Sequence, residues 1–342
     1  MCVFGHPRHF APDGRKDTLR ILCGTDNLYS VSRLLNLFFC DYTILHYLRD
    51  DNSLPKQIIA LLCSITGIQK LYFVEPSFLS SVLGYTADTA YALEYRQISS
   101  YFIDDMSFYF DSTAGSRVEQ FLNSEESILD DDAKKSCAML IRDIIEKRLT
   151  KYNFQPEEAL PILDRTGPKV LVVDQTEADA SVWRAYGGSD SFKRMLRDAL
   201  FENPDATVYI KTHPDKHLNA RGGYYENLCL PPEDSERVRI IDVPANPYTI
   251  MEAIDIVYVC TSQLGFEALM AGKRVKTYGM PVYAGGGLTE DKVSREGCRH
   301  KRSVEEVVHA RDVRCAVHID LERKRQGEVK RHIEQIGRRA AR

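Results

Sequence analysis

At 342 residues the chain is long for one domain and ample for two, each able to bury its own core. Its 44% hydrophobic and 27% charged residues are ordinary globular composition, and a net charge of -4 argues against nucleic acid as a main partner. Nine cysteines, odd in number and with none in a C-x-x-C pair, argue against a zinc ribbon or a disulfide scaffold and suit a reduced cytosol.

Residues 1–16, rich in His, Pro, Arg and Gly without periodicity, are expected to form a loose lead-in. The apolar run Leu19 to Cys23 suits a strand entering the loop Gly24-Thr25-Asp26-Asn27, and Ser30 to Phe39 suits a helix. Tyr42 to His46 and Lys70 to Val74 suit strands on either side of a helix at Lys56 to Ile65. Such alternation points to a parallel sheet with helices on its faces. Residues 124–150 turn from polar to amphipathic helical, with Ile128, Leu129, Met139, Ile141, Ile144 and Ile145 on the apolar side.

A fresh strand begins after Gly167-Pro168, which sets the domain boundary there. Lys169 to Val173 is a continuous apolar run of the kind buried on both faces of a parallel sheet. Ser191 to Phe201 is an amphipathic helix, Gln263 to Ala271 another, and strands are expected at Thr207 to Lys211, Arg237 to Ile241, Ile256 to Val259 and Arg274 to Tyr278. The pattern is that of a doubly wound α/β domain. The expected organisation is a lead-in at 1–16, Rossmann-like domains at 17–166 and 167–320 facing a ligand cleft, and a basic helix at 321–342.

The basic stretch carries Arg323, Lys324, Arg325, Lys330, Arg331, Arg338, Arg339 and Arg342 against Glu322, Glu328 and Glu334. Such a helix can dock on anionic lipid headgroups, and a solvated terminal helix explains it equally well. No stretch reaches the ~20 apolar residues of a membrane span. The start lacks the apolar core of a signal peptide. A cytoplasmic protein is expected, at most peripheral at the inner face of the cell membrane.

In an open α/β sheet ligands bind beyond the carboxyl ends of the strands. After Val173 come Asp174, Gln175, Glu177 and Asp179, then Ser181. An acid there can serve as nucleophile or general base, while Asp179 or Ser181 capping a helix is the bland explanation. At the next strand end, Lys211 and His213 offer donors to a phosphate or carboxylate, or else a turn forms on Pro214 and Asp215. Thr261 and Ser262 follow a strand where a helix begins, with Gln263 beside them and Glu267 one turn in. Hydroxyls and open N–H groups make an anion site there, Glu267 can accept from ribose hydroxyls, and Gly265 admits close approach. A simply capped helix is the alternative.

Tyr278 to Asp291 holds Tyr283 and the triplet Gly285-Gly286-Gly287, a loop able to close over substrate. The chain lacks G-x-x-x-x-G-K-[ST] and G-x-G-x-x-G, which argues against triphosphate hydrolysis and dinucleotide chemistry. No metal site is expected. Asp130-Asp131-Asp132 lies in a polar linker, and His213 and His217 flank Pro214 outside any H-E-x-x-H frame.

These strand ends together resemble the capsule polysaccharide biosynthesis family of the KpsC/LipB type. VLVVDQTEADAS is similar to the family's strand-and-acid motif, KTHPD to its H-P motif, and TSQLGFEALMAGKRVKTYGMPVYAGGGLTED to its longest signature. Glu75 to Ser81 (EPSFLSS) resembles E-D-G-F-x-R-S, and Asp105 to Glu119 resembles D-x-G-I-Y-Y-D-A-x-x-P-S-x-L-E. The resemblance implies a GT-B-like α/β glycosyltransferase that moves β-Kdo from CMP-Kdo with retention, without metal or cofactor, to a glycolipid or Kdo-terminated oligosaccharide. Asp179 is then the nucleophile, since its equivalent is the acid common to this motif, with Gln175 and His213 beside it. Lys211, Thr261, Ser262, Gln263, Glu267, Tyr283 and Gly285 would hold the donor. Glu75, Ser81, Tyr109 and Asp111 would lie on the acceptor side.

Two departures stand out. The family's G-W-G has Gly286 in place of the tryptophan, and E-D-G-F-x-R-S has Pro76 and Ser80 in place of its second acid and its arginine. Members often carry two modules in tandem, and this chain has room for one. The departures leave room for another CMP- or UDP-linked donor, or for a silent sugar-nucleotide-binding partner in a capsule assembly complex.

Overall fold

A computed structural model describes residues 2–5, 20–21, 28–30, 43–46, 71–82, 98–124, 129–214, 216, 222–294 and 300–341. The chain builds two sheets. The first begins with β1 (Cys2–Gly5), β2 (Leu28–Ser30), β3 (Thr43–His46) and β4 (Leu71–Pro76), all parallel, with Val3 opposite both Leu28 and Ile44. β5 (Ser100–Asp104) pairs antiparallel with β4.

This half departs from the sequence expectation at its start. Cys2–Gly5 is a strand hydrogen-bonded on both sides, so the lead-in contains an inner strand. Its apolar run is too short to announce itself beside the polar residues that follow. Arg20 and Ile21, within the strand expected at 19–23, are helical, and the rest of that run lies outside the described residues; β1 takes the seat beside β3, with β2 at the edge beyond it. The helices expected at 30–39 and 56–65 lie outside the described residues, apart from Ser30, which ends β2.

Two helices lead to the second sheet. Ser116 caps α1 (Arg117–Leu122), and Asp130 caps α2 (Asp131–Glu146) by accepting from the Ala133 N–H at 2.7 Å. The buried stripe of α2 is Cys137, Leu140 and Ile144, at helical spacing. Met139, expected on that side, is 49% exposed, because one residue in a 3.6-residue turn moves it off the stripe.

The second sheet comprises β6 (Lys169–Val173), β7 (Thr207–Lys211), β8 (Val238–Ile241), β9 (Ile256–Val259), β10 (Arg274–Thr277) and β11 (Glu290–Asp291). All pair in parallel in the order β11-β10-β9-β6-β7-β8. That is a doubly wound order, reversing between β6 and β9. The intervening helices are α3 (Ala180–Trp183), α4 (Ser189–Glu202), α5 (Pro232–Ser235), α6 (Pro247–Ala253) and α7 (Leu264–Met270).

Alternate residues of β6 enter different cores, as strand periodicity requires. Val170 and Val172 pack with Phe192, Met195 and Leu196 of α4. Leu171 and Val173 join a larger core that also takes in Phe78, Leu79, Leu140, Ile144 and Phe266. One hydrophobic core therefore spans both halves.

After α8 (Val304–Val308) and a π-helical turn at His309–Arg314, the chain returns to the first sheet. β12 (Ala316–Asp320) pairs antiparallel with β5, and β13 (Arg325–Gly327) with β12. α9 (Val329–Ala340) follows, burying His332, Ile333, Gln335 and Ile336. The divisions expected at 320 and 321 thus differ from the sheet topology: β12 belongs to the first sheet, and the basic segment opens with a strand. R-Q-G lacks the apolar alternation that marks a strand in sequence.

Candidate active site

The crevice opens where the second sheet reverses, beyond the ends of β6 and β9. Gln175 and Thr261 close this point on each other. Gln175 Nε2 donates to Thr261 Oγ1 at 3.0 Å, and the Thr261 N–H donates to Gln175 Oε1 at 2.9 Å. Both side chains are buried, so the pair locks the two strand ends together.

The acids that follow β6 divide sharply. Asp174 is 3% exposed, and its Oδ1 accepts from the N–H groups of Gln175 at 2.9 Å and Tyr224 at 3.0 Å. Burial pushes its carboxyl up to about 6 against those hydrogen bonds. Asp179 is half-buried and caps α3, its Oδ1 accepting from the N–H and the Oγ of Ser181, each at 2.8 Å. Both bonds fall on one oxygen. Ala178 just before it is left-handed at φ 59, a backbone state that residues with a Cβ rarely occupy and that clusters at functional sites.

Glu75, at the end of β4, is near enough to Asp179 to feel its charge. Its Oε2 is buried without a hydrogen-bond partner among the described residues. Burial first, and the Asp179 charge to a lesser degree, raise its carboxyl to about 8, while Lys151 opposes the shift. Tyr109, half-buried beside the Phe102 ring at 4.4 Å between centroids, feels Lys151, Glu75, Arg311 and Asp179. Glu75, Tyr109, Asp179 and Lys151 therefore form one electrostatic cluster drawn from both halves. Asp111, 1% exposed, pairs with Arg184 just after α3, and Ser112 Oγ donates to Met280 O at 2.6 Å. These contacts clamp the 105–119 segment against the Asp179 turn.

The remaining expected residues take varied positions. Thr176 Oγ1 and His213 Nδ1 are 3.2 Å apart, placing His213 next to the β6 loop. Lys211 is 5% exposed and donates to Thr212 O at 3.0 Å; burial lowers its ammonium to about 8. Ser262 Oγ accepts from the Leu264 N–H at 3.3 Å, and Gln263 Nε2 is buried without a partner among the described residues. Glu267 is 2% exposed and accepts from the Lys151 N–H at 3.4 Å; burial raises it to about 7. It faces the connector between the halves. Ser81 O accepts from Asn153 Nδ2 at 3.1 Å.

Tyr283 is 2% exposed and donates its hydroxyl to Ser262 O. Gly265 makes room for it: a Cβ there would lie 2.3 Å from the Tyr283 hydroxyl. Gly285, left-handed at φ 79, donates its N–H to Asp291 Oδ2 at 2.9 Å.

Both departures in sequence have seats in the fold. The Arg302 N–H donates to Gly286 O at 3.0 Å, and a Cβ on Gly286 would meet His300 O at 3.3 Å, so a side chain there requires the 300–302 backbone to give way slightly. Ser80 is 4% exposed, and its carbonyl accepts from the Ser99 N–H at 2.7 Å.

Two cations escaped the sequence reading. Arg311, 1% exposed, lies between the rings of Phe78 (4.9 Å) and Phe266 (4.2 Å) and pairs with Asp312 at 2.8 Å. Lys151 lies in the connector after α2. Neither follows a strand end, which is where motif reasoning looks. Among the described residues, no group of three or more His, Cys, Asp or Glu is arranged to hold a metal, and no helix is long and apolar enough to cross a membrane.

The model of the family described as "Capsule polysaccharide biosynthesis protein" matches residues 131–325, more than half of the chain. The capsule polysaccharide modification protein LipA of Neisseria meningitidis serogroup B is 34% identical over 225 residues, covering 64% of this chain and 30% of LipA. The lipopolysaccharide-processing protein LpsZ of Rhizobium meliloti is 32% identical over 247 residues, covering 70% of this chain and 52% of LpsZ. The chain thus spans less than a third of LipA and about half of LpsZ. In solved structures, the fold is shared with Thermosulfurimonas dismutans KpsC, beta Kdo 2,4 transferase, at a TM-score of 0.84 and 24% identity over 98% of both chains. A second structure, the beta Kdo 2,7 transferase of the same KpsC, gives a TM-score of 0.67 and 21% identity over 99% of each chain. With its strand-end motifs and its fold in agreement, the chain belongs to the capsule polysaccharide biosynthesis family of the KpsC/LipB type.

Proposed function

We propose that the chain is a glycosyltransferase module that moves β-Kdo from CMP-Kdo, with retention, to a glycolipid or Kdo-terminated acceptor. The two sheets form a GT-B-like pair of Rossmann-like units, the first carrying the acceptor side and the second the nucleotide sugar. The KpsC folds, both named Kdo transferases, support the sugar. The observation that carries the chemistry is a pair of acids: Asp179 beside its strained turn, and within reach of its charge a Glu75 whose buried Oε2 has no hydrogen-bond partner among the described residues.

Asp179 attacks the anomeric carbon and CMP departs, leaving a glycosyl-enzyme ester. Glu75 then takes the proton of the acceptor hydroxyl as that oxygen displaces Asp179. Two inversions give net retention. Gln175 and Thr261 hold the Asp174–Asp179 segment in register, and His213 stands beside it for the donor. Catalysis is proposed to need no metal, so activity should survive EDTA.

The test is CMP release from CMP-Kdo with a Kdo-terminated lipid acceptor. Asp179→Asn should lose turnover by roughly 10³-fold or more, as expected for a missing nucleophile, while keeping its melting temperature. Asp174→Asn should instead lower stability, because its carboxylate holds the Gln175 and Tyr224 N–H groups. Full turnover in Asp179→Asn would refute the assignment.

A further inference from the structure

α3 is four residues long, too short to hold its own shape, because a single helical turn is unfavourable without tertiary support. It is also flanked by strain. Ala178 before it and Tyr186 after it are both left-handed, at φ 59 and φ 58. Residues in that state persist only where the surroundings over-determine the backbone. Asp179 heads the segment as the N-cap of α3, so whatever fixes α3 also fixes the proposed nucleophile.

The support arrives at the other end of α3, from two other segments. The Ser112 N–H donates to Arg184 O at 3.1 Å, and the Met280 N–H donates to Ala185 O at 2.7 Å. Ser112 Oγ donates to Met280 O at 2.6 Å, which closes the three segments on one another. The Arg184 side chain adds a charged tie. Its Nη1 donates to Asp111 Oδ2, and its guanidinium carbon lies 4.7 Å from the centre of the Trp183 ring. Asp111 is 1% exposed, and its other oxygen, Oδ1, accepts from the N–H of Thr113 at 3.0 Å and from the Thr113 hydroxyl. Both carboxylate oxygens are engaged within the protein, which suits a strut and not a ligand for an acceptor hydroxyl. A charge-assisted bond to a buried carboxylate is of the strong kind.

We propose that Arg184 is a positioning residue for Asp179, acting through Asp111: the pair ties the end of α3 to the first half and so sets the attack geometry at its head. This rests on the transferase reading above. A displacement of about 1 Å at a reacting group can cost on the order of 10²-fold in rate. The pair therefore acts on kcat and leaves ligand affinity alone.

Steady-state CMP-Kdo transfer by the full chain tests it, alongside calorimetric titration with CMP and melting temperatures. The variants are Arg184→Met, Arg184→Lys, Asp111→Asn and the double variant Arg184→Met/Asp111→Asn. The double variant leaves no buried charge unpaired, so it carries the test if a single variant fails to fold. Arg184→Met and Asp111→Asn should each lower kcat by roughly 10²-fold, with the Kd for CMP and the KM for acceptor near wild type. The double variant should be no slower than either single one, as for residues that act as a unit. Arg184→Lys keeps the charge and should recover part of the rate. A raised acceptor KM with kcat intact would make Asp111 an acceptor ligand and overturn the proposal. Losses that add in the double variant, or that track a fall in CMP affinity and melting temperature, also overturn it. Wild-type rates in every variant overturn it and leave the transferase reading standing. A wild type without turnover sinks the transferase reading and this inference together.

Discussion

Glu75 couples activity and stability through one carboxyl. Raised from 4.5 to about 8 mainly by burial, it is largely protonated at neutral pH, yet a base must be ionised to accept the acceptor's proton. The rate should therefore climb as pH rises through about 8, and Glu75→Gln should be slow with that limb absent. A pH profile of kcat/KM for CMP-Kdo transfer decides it; the same limb persisting in the variant rules Glu75 out as the base. The stability term runs the other way. With its folded value above its unfolded one, Glu75 contributes stability that is complete below about 4.5 and lost as pH rises through about 8. The position of Asp179 just after β6 was legible, as was its capping of α3, because acids directly after a buried strand have a known place in an open sheet. Lys151 and Arg311 were not. They come from a connector and a π-helical turn, where no spacing rule applies.

At the scale of elements, β6, β7, β9 and β10 were readable as short apolar runs bounded by turn residues, and their ends gave the crevice. β1 and β13 escaped, being strands of four and three residues whose pairing is set by distant neighbours rather than by local pattern. The loop after β10 shows how such elements are joined. Tyr283 reaches back to Ser262 O only because Gly265 has no side chain, so helix α7 and the 281–285 loop share one contact. In Gly265→Ala the new Cβ would also meet Val259 Cγ2 at 2.9 Å, leaving little room for relaxation. Overpacking of this kind costs about 1–3 kcal/mol. Urea unfolding should show that loss, and Tyr283→Phe should cost less because the ring's packing on Phe266 survives. Equal stability of Gly265→Ala and wild type would mean the loop is not held through this contact.

The whole molecule is closed by its last described segment, which leaves the second sheet and completes the first. Two histidines sit at that seam. His318 on β12 has Nδ1 2.9 Å from Ser100 Oγ and Nε2 2.7 Å from Asp312 O; His332 on α9 bonds Leu79 O, with the two rings 4.8 Å apart. Burial, and then the neighbouring His318, push His332 down from 6.5 to about 3, and burial lowers His318 as well. The same burial spends the apolar face of α9 on the core, and Arg331 and Arg338 engage Asp320 and Glu322. Lipid contact through this helix would then rest on charge alone. Depressed histidines give stability that is present above about pH 6.5 and lost as pH falls, since the unfolded chain takes protons that the fold refuses. Asp174 and Glu267, both raised, act in the opposite sense, so the comparison must be made against a variant rather than in wild type alone. His332→Gln sets an amide N–H near the position of Nε2, keeping a donor for Leu79 O, but cannot titrate. Across pH 6.5 to about 4 the urea midpoint of wild type should fall more steeply than that of His332→Gln. Parallel slopes would mean that His332 is not the group that loosens this seam in acid.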